Sequence, residues 1–73
     1  MATQIVMDHH GDTQHHFDPQ NARELLEAEE RFRNLTERGF TAAKRTSPGQ
    51  IAKIRTFDPN AEETLFYPRM VGG

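Results

Sequence analysis

The stretch FDPQNARELLEAEERFRNLTERGF (residues 17–40) decides the fold of this chain, because it carries the signals of one complete helix. Asp18 is a suitable N-cap, since its carboxylate can accept a hydrogen bond from an otherwise free backbone N–H. Pro19 then takes the first helical position, where its missing N–H costs nothing. Gly39 suits the left-handed residue that commonly ends a helix. The sequence therefore predicts a single helix over residues 19–38.

One side of this helix is apolar and the opposite side is charged. The pairs Glu27–Arg31 and Glu29–Arg33 have the i,i+4 spacing that stabilises an exposed helical surface. Apolar residues recur at helical spacing on the other side: Ala22, Leu25, Leu26, Ala28, Phe32 and Leu35. Such a helix covers one face of another structural layer.

The segments around the helix predict β-strands in two hairpins. The first hairpin joins residues 3–8 to a polar return strand over 13–17, which we expect at a sheet edge. The second joins residues 40–45 to 51–57 through the turn at 47–50, where proline and glycine favour a reversal. The alternation in 51–57 is imperfect, and a β-bulge would reconcile it.

The last segment repeats the start of the helix, since FDPNAEETLF resembles FDPQNARELL and suggests the same cap chemistry. We expect a single helical turn near 59–63 and then an extended piece over 65–67. The whole is an α+β domain over residues 1–68, in the order β-β-α-β-β, with one long helix on a four- or five-stranded sheet and a flexible tail over 69–73. The predicted core is Ile5, Met7, Phe17, Leu25, Ala28, Phe32, Leu35, Phe40, Ile54, Phe57, Leu65 and Phe66.

Composition limits the functions that this chain of 73 residues can have. The apolar fraction is 34% and there is no cysteine, which excludes a disulfide framework and a thiolate nucleophile. No apolar run predicts a membrane span, so we expect a cytoplasmic protein with no membrane partner. No catalytic constellation and no cofactor motif is present, so we expect a protein that is not an enzyme and carries no cofactor.

The chain ends in Gly72-Gly73, and with its β-β-α-β-β order it resembles the ubiquitin-like β-grasp proteins. In that family the terminal Gly-Gly is extended and threads the channel of an activating enzyme, where its carboxylate is adenylated. Glycine meets this requirement physically, because any Cβ would clash in a narrow channel. The resemblance implies a modifier or a sulfur carrier that acts through Gly72 and Gly73.

Four histidines are concentrated around the first predicted turn: His9, His10, His15 and His16. Imidazole is an acceptable ligand for zinc or nickel. Adjacent residues of a strand point to opposite faces, however, so at most one of each pair could join a single site. We therefore predict an exposed polar hairpin with no metal site.

The charge is segregated although the formal net charge is only −2. Residues 39–57 contain four basic residues and no acidic one: Lys44, Arg45, Lys53 and Arg55. A basic ribbon can follow a phosphate backbone, but aromatic residues do not alternate with these charges. The pattern therefore favours a solvated face, or a face for an acidic protein partner, over a nucleic-acid interface.

Three functional hypotheses follow from these patterns. The first is a small non-catalytic protein-interaction module, because no catalytic constellation is found. The second is a ubiquitin-like modifier or sulfur carrier that uses its Gly-Gly end. The third is a nucleic-acid binder that uses the basic hairpin over 40–57.

Overall fold

In a computed structural model, which describes residues 1–69, one helix packs on one face of a five-stranded mixed sheet. This confirms the predicted α+β class with one helix on a sheet. The elements are β1 (Ala2–Asp8), β2 (Gly11–Phe17), α1 (Ala22–Glu37), β3 (Phe40–Ser47), β4 (Gln50–Ile54) and β5 (Glu63–Pro68). In the described residues no helix is long and apolar enough to cross a lipid bilayer.

The strand order is β2-β1-β5-β3-β4, with the last strand of the chain in the centre. Strand β5 runs parallel to β1 and antiparallel to β3, and each outer pair is an antiparallel hairpin. The polar strand β2 lies at an edge, as predicted. Two hairpins are therefore joined into one sheet through β5.

The helix begins later than the sequence predicts. Its N-cap is Asn21, whose side chain accepts hydrogen bonds from two N–H groups of the first turn at 3.0 and 3.1 Å. Asp18 instead closes a tight turn, since its Oδ1 accepts from the backbone N–H of Gln20 at 2.9 Å. The predicted cap was wrong because the aspartate satisfies this local turn before the helix starts. Gly39 follows the helix with a φ of +100°, as predicted.

The second Asp-Pro segment forms the same kind of turn as the first. The Oδ1 atom of Asp58 accepts from the backbone N–H of Asn60 at 2.9 Å, and its carbonyl oxygen accepts from Ala61 at 3.2 Å. The two segments share this turn rather than the predicted cap chemistry, and the helical turn predicted near 59–63 is wrong. Residues 59–60 form a turn that leads into β5.

Aromatic rings connect the helix to the sheet. Phe32 of α1 packs edge-to-face on Phe66 and on Phe57, with ring centroids 5.7 and 5.9 Å apart. Phe57 also contacts Phe17 at 6.2 Å. Predicted core residues that the structure buries are Phe17, Ala28, Phe32, Leu35 and Phe66. Those that pack half-buried against them are Leu25, Phe40, Ile54 and Phe57.

Three residues of the predicted core lie on the opposite face of the sheet: Ile5, Met7 and Leu65. The pairing of strands shows why, because Ile5 is opposite Leu65 while Phe66, which packs on the helix, is opposite Val6. Side chains alternate along a strand, so the even-numbered residues of β1 point toward the helix. The prediction was wrong because it placed the larger apolar residues of these strands on the inner face, which is the side of the sheet that the helix covers.

Gln4 occupies the inner face of β1 instead, and its side chain is fully buried. Its Nε2 donates to the carbonyl oxygen of Ala28 at 3.0 Å, and its Oε1 accepts from Nη1 of Arg31 at 2.8 Å. A buried amide is tolerated when both of its ends are hydrogen-bonded. Gln4 thus ties the middle of the helix to β1.

The imperfect alternation of residues 51–57 has a simple cause. Strand β4 ends at Ile54, so Phe57 belongs to the following connection and reaches the core from there. Ile54 faces the helix, and Ile51 on the other face is 50% exposed. The bulge lies in β3, where the register shifts between Arg45 and Ser47.

Replacing Phe32 with Ala should reduce the free energy of unfolding by about 3–5 kcal/mol, because the ring is buried and its removal leaves a cavity. A domain of this size has little stability to lose. Urea or thermal unfolding followed by circular dichroism measures the change. Leu26→Ala is the matched control, since Leu26 is 62% exposed and should change stability by less than about 0.5 kcal/mol. Equal effects of the two substitutions would contradict the assigned helix orientation.

Gln4→Met should reduce the free energy of unfolding by roughly 1–3 kcal/mol. Methionine keeps most of the side-chain volume, so the loss reports the two hydrogen bonds rather than a cavity. Amide exchange should also become faster around residues 28–31 than at the far end of the helix. Stability equal to or above that of the parent chain would show that these hydrogen bonds do not hold the helix on the sheet.

Candidate protein-interaction surface

The sheet has one face that the helix does not cover, which we call the free face. Its centre is apolar, because alternation along the two central strands brings Ile5 and Met7 of β1 and Leu65 and Tyr67 of β5 to this side. All four side chains are half-buried. Apolar side chains clustered on a surface and rimmed by polar residues are typical of interaction sites.

Strand register aligns these residues in rows across the sheet. Ile5 is paired with Leu65, which is paired with Ala43. Ala43 is in turn paired with Lys53 of β4, and its own methyl group is fully covered. The apolar centre therefore extends over β1, β5 and β3 and meets a positive charge at β4. On the other side the row ends at Gln14 of the polar strand β2.

The structure divides the four basic residues predicted as one binding face. Lys44 points to the helix side, where its Nζ lies 2.7 Å from Oδ2 of Asp58. Arg45 lies on the free face and pairs with Glu63, with Nε and Oε1 2.9 Å apart. Lys53 is exposed on the free face, and Arg55 is exposed just after β4 ends. Sequence spacing alone did not show that Lys44 and Arg45 point in opposite directions and that both are paired.

The Lys44–Asp58 pair fixes the turn before β5. The hydrogen bond from Lys44, reinforced by the bond from the backbone N–H of Asn60, lowers the pKa of the Asp58 carboxyl. The pair joins the third strand to the second Asp-Pro turn, and so it helps to position the chain where it enters the centre of the sheet. Its role is structural, since both partners lie away from the free face.

The four histidines do not come together. His9 and His10 form the β1–β2 turn, while His15 points toward the helix and His16 toward the free face. Burial, with a smaller contribution from Arg31 and then His16, lowers the pKa of His15. The Nδ1 atom of His16 lies 3.0 Å from Oγ1 of Thr3. Within residues 1–69 there is no group of three His, Asp or Glu side chains placed to share a metal ion.

Gly72 and Gly73, the predicted modifier tail, lie outside the described residues. The described chain ends at Arg69, directly after β5. The flexible segment expected from residue 69 onward therefore stays a prediction. The structure places Arg69, the last described residue before Gly72-Gly73, at the end of the central strand.

The element order and the single helix on a mixed sheet are compatible with the β-grasp architecture that the sequence resembles. Comparison of the chain with protein-family models, with curated proteins and with solved structures gave no significant match.

The apolar centre of the free face is the feature that sequence reasoning missed. Its signal was present in β1, where Ile5 and Met7 share one parity, but that parity was assigned to the core. Gln4 on the other parity does not reveal the true inner face, since glutamine is rarely fully buried. The helix-side partners that satisfy Gln4 lie at Ala28 and Arg31, and such distant contacts cannot be read from local alternation.

Asp58→Asn should remove part of the acid sensitivity of the fold. A carboxyl with a lowered pKa in the folded state stabilises the protein above its unfolded pKa and loses that contribution as the pH falls through its folded pKa. The parent chain should therefore lose stability below about pH 4 more steeply than the variant. At neutral pH the variant should be less stable by about 0.2–1 kcal/mol, as for a partly exposed ion pair.

Urea unfolding at a series of pH values measures both effects. Asp12→Asn is the matched control, because Asp12 is exposed and far from Lys44 in the sheet order, and it should leave the neutral-pH stability unchanged. Identical acid profiles for the parent and Asp58→Asn would contradict the role of the Lys44–Asp58 pair.

Proposed function

We propose that this chain is a non-catalytic protein-interaction module of ubiquitin-like character. The folded part is recognised by partner proteins, and the Gly72-Gly73 pair is the segment that an activating enzyme takes up for conjugation or sulfur transfer. The observation that carries the proposal is the central position of β5. The strand that leads to the Gly-Gly pair is hydrogen-bonded on both sides.

This position matters mechanically. Strand β5 pairs with β1 over residues 63–66 and with β3 over residues 64–68. A segment attached to such a strand can be pulled into a narrow channel while the domain stays folded, because the load is shared by two ladders of hydrogen bonds. A segment attached to an edge strand would be held by one ladder only.

The free face supports the recognition half of the proposal. Protein interfaces commonly combine an apolar centre with a polar rim, and aromatic residues and arginine are enriched in them. The free face has Ile5 and Leu65 in its centre and Tyr67 beside them, with Arg45 and Lys53 at the rim. This arrangement suits a protein partner of matching shape.

The same contacts give little support to nucleic-acid binding through the basic hairpin. Lys44 and Arg45 are paired with carboxylates, and they lie on opposite faces of the sheet. A phosphate backbone gains affinity from several cations along one track. The basic hairpin therefore does not offer such a track through Lys44 and Arg45.

Mass spectrometry of the chain purified from its native host tests the proposal. We expect species heavier than the free chain, either a conjugate whose tryptic peptides show the Gly73 carboxyl joined to a partner, or a thiocarboxylate at Gly73. Substitution of both Gly72 and Gly73 with Ala should abolish these species, since the added Cβ atoms block close backbone approach.

The matched control is Gly49→Ala, which alters a glycine with a φ of +78° in the β3–β4 turn and leaves the tail intact. It should lower stability while keeping the modified species. Finding only unmodified chain in the parent, or finding that the native gene continues past Gly73 without cleavage there, would overturn the carrier role. An interaction role alone would then predict a partner cross-linked through the free face and unaffected by the tail substitutions.

A further inference from the structure

A second surface lies where the central strand leaves the sheet. It is a groove of about 470 Å³ between the end of α1, the start of β3 and the residues around the end of β4. We call it the exit groove. Its apolar floor includes Phe40 and Ile54, and Arg69 borders it directly before the segment that leads to Gly72-Gly73.

The exit groove carries three cations and no carboxylate. Lys53, Arg55 and Arg69 line it and all three are exposed. Among the described residues the ion pairs are formed by Lys44 and Arg45, so these three charges are not neutralised within residues 1–69. Three like charges around one groove repel each other and favour an anionic ligand.

The floor of the exit groove is held by the core. Phe40 and Ile54 are half-buried and pack against the cluster that contains Leu35 and Phe66. The backbone beside them is fixed too, since Gly39 donates its N–H to the carbonyl oxygen of Thr36 at 3.1 Å. A ligand therefore meets a preformed surface, which lowers the entropic cost of binding.

We propose that the exit groove is a docking site for an acidic segment of a partner protein that also carries an apolar side chain. The carboxylates would meet Lys53, Arg55 and Arg69, while the apolar side chain would cover Phe40 and Ile54. This inference rests on the proposed function, because it assigns to the partner that takes up the tail a contact at the base of that tail. The exit groove adjoins the free face at Lys53, which borders both, while the apolar centre of the free face at Ile5 and Leu65 lies outside the groove.

A polypeptide explains the groove better than a nucleic acid does. A phosphate backbone would use the three cations and leave the apolar floor in water, whereas an acidic peptide with one apolar anchor uses both. The groove is also short, and a track of three charges gives a phosphate backbone little affinity at physiological salt.

Titration of the isotope-labelled chain with a synthetic peptide tests the docking site. The probe alternates Asp and Glu with Leu and Phe, and its comparison peptide has Asn and Gln in place of the acids. Amide shifts should change at Thr36, Phe40, Ile54 and Arg69, saturate, and weaken as salt is added. Changes centred on Ile5 and Leu65, equal binding of the amide peptide, or stronger binding of duplex DNA to the same residues would each overturn the proposal.

Charge-reversal substitutions test whether the acidic peptide binds at the exit groove. Arg55→Glu should weaken binding of the acidic peptide by on the order of tenfold, and Arg55→Glu combined with Arg69→Glu by more. Arg23→Glu is the matched control, because it makes the same change of charge at an exposed residue near the start of α1 and should leave the affinity unchanged. An equal loss of peptide affinity for Arg55→Glu and Arg23→Glu would show that only the net charge of the chain matters, and would overturn the docking site.

The peptide experiment does not require conjugation, so the two proposals can fail separately. If the native host contains no modified chain but the peptide binds the exit groove, the carrier role fails and the docking site stands. If modified chain is present, Arg55→Glu should lower its amount severalfold while Arg23→Glu does not. Full modification of Arg55→Glu would overturn the groove as the docking site and leave the carrier role intact.

Discussion

The contact between Gln4 and the helix determines which side chains of the sheet lie toward the helix and which lie on the free face. A fully buried amide bonded to Ala28 on one side and Arg31 on the other fixes β1 against the middle of α1. Because strands alternate, placing Gln4 inward also places Ile5 outward, and strand pairing carries that choice to Leu65 in the next strand. A shift of one residue would exchange the core side and the free face of β1.

The sequence allowed prediction of the elements that depend on local patterns. The apolar side of the helix, its glycine end and both hairpins were predicted correctly. Their signals are helical periodicity, Gly39 and the Pro48-Gly49 turn, and each depends on only a few neighbouring residues. The start of the helix was predicted wrongly. Asp18 and Asn21 are both suitable N-cap residues, and only their hydrogen-bond geometry in the folded chain distinguishes them. The facing of β1 and the separation of Lys44 from Arg45 depend on partners distant in sequence, such as Ala28 and Asp58.

The two faces of the molecule differ in chemistry, and this follows from how the charges are distributed along the chain. The helix presents carboxylates and guanidinium groups to solvent, while three cations of the second hairpin, Arg45, Lys53 and Arg55, lie near the free face and the exit groove. A net charge of −2 therefore hides a local positive field on the side where the central strand ends. Such a field orients an approaching anionic partner even when this chain and the partner both have a negative net charge.

The central place of β5 also governs how the chain acquires its structure. In the described sheet no ladder joins β1 to β3 directly, so the two hairpins form one sheet only when β5 pairs between them. Pairing of Thr3 with Glu63 closes a loop that spans most of the chain, and contacts of that range slow folding. The sheet can therefore be completed only after residues 63–68 have been synthesised. Without residues 63–68 the two hairpins would not be joined by hydrogen bonds, and β1 and β3 would each keep an unpaired edge.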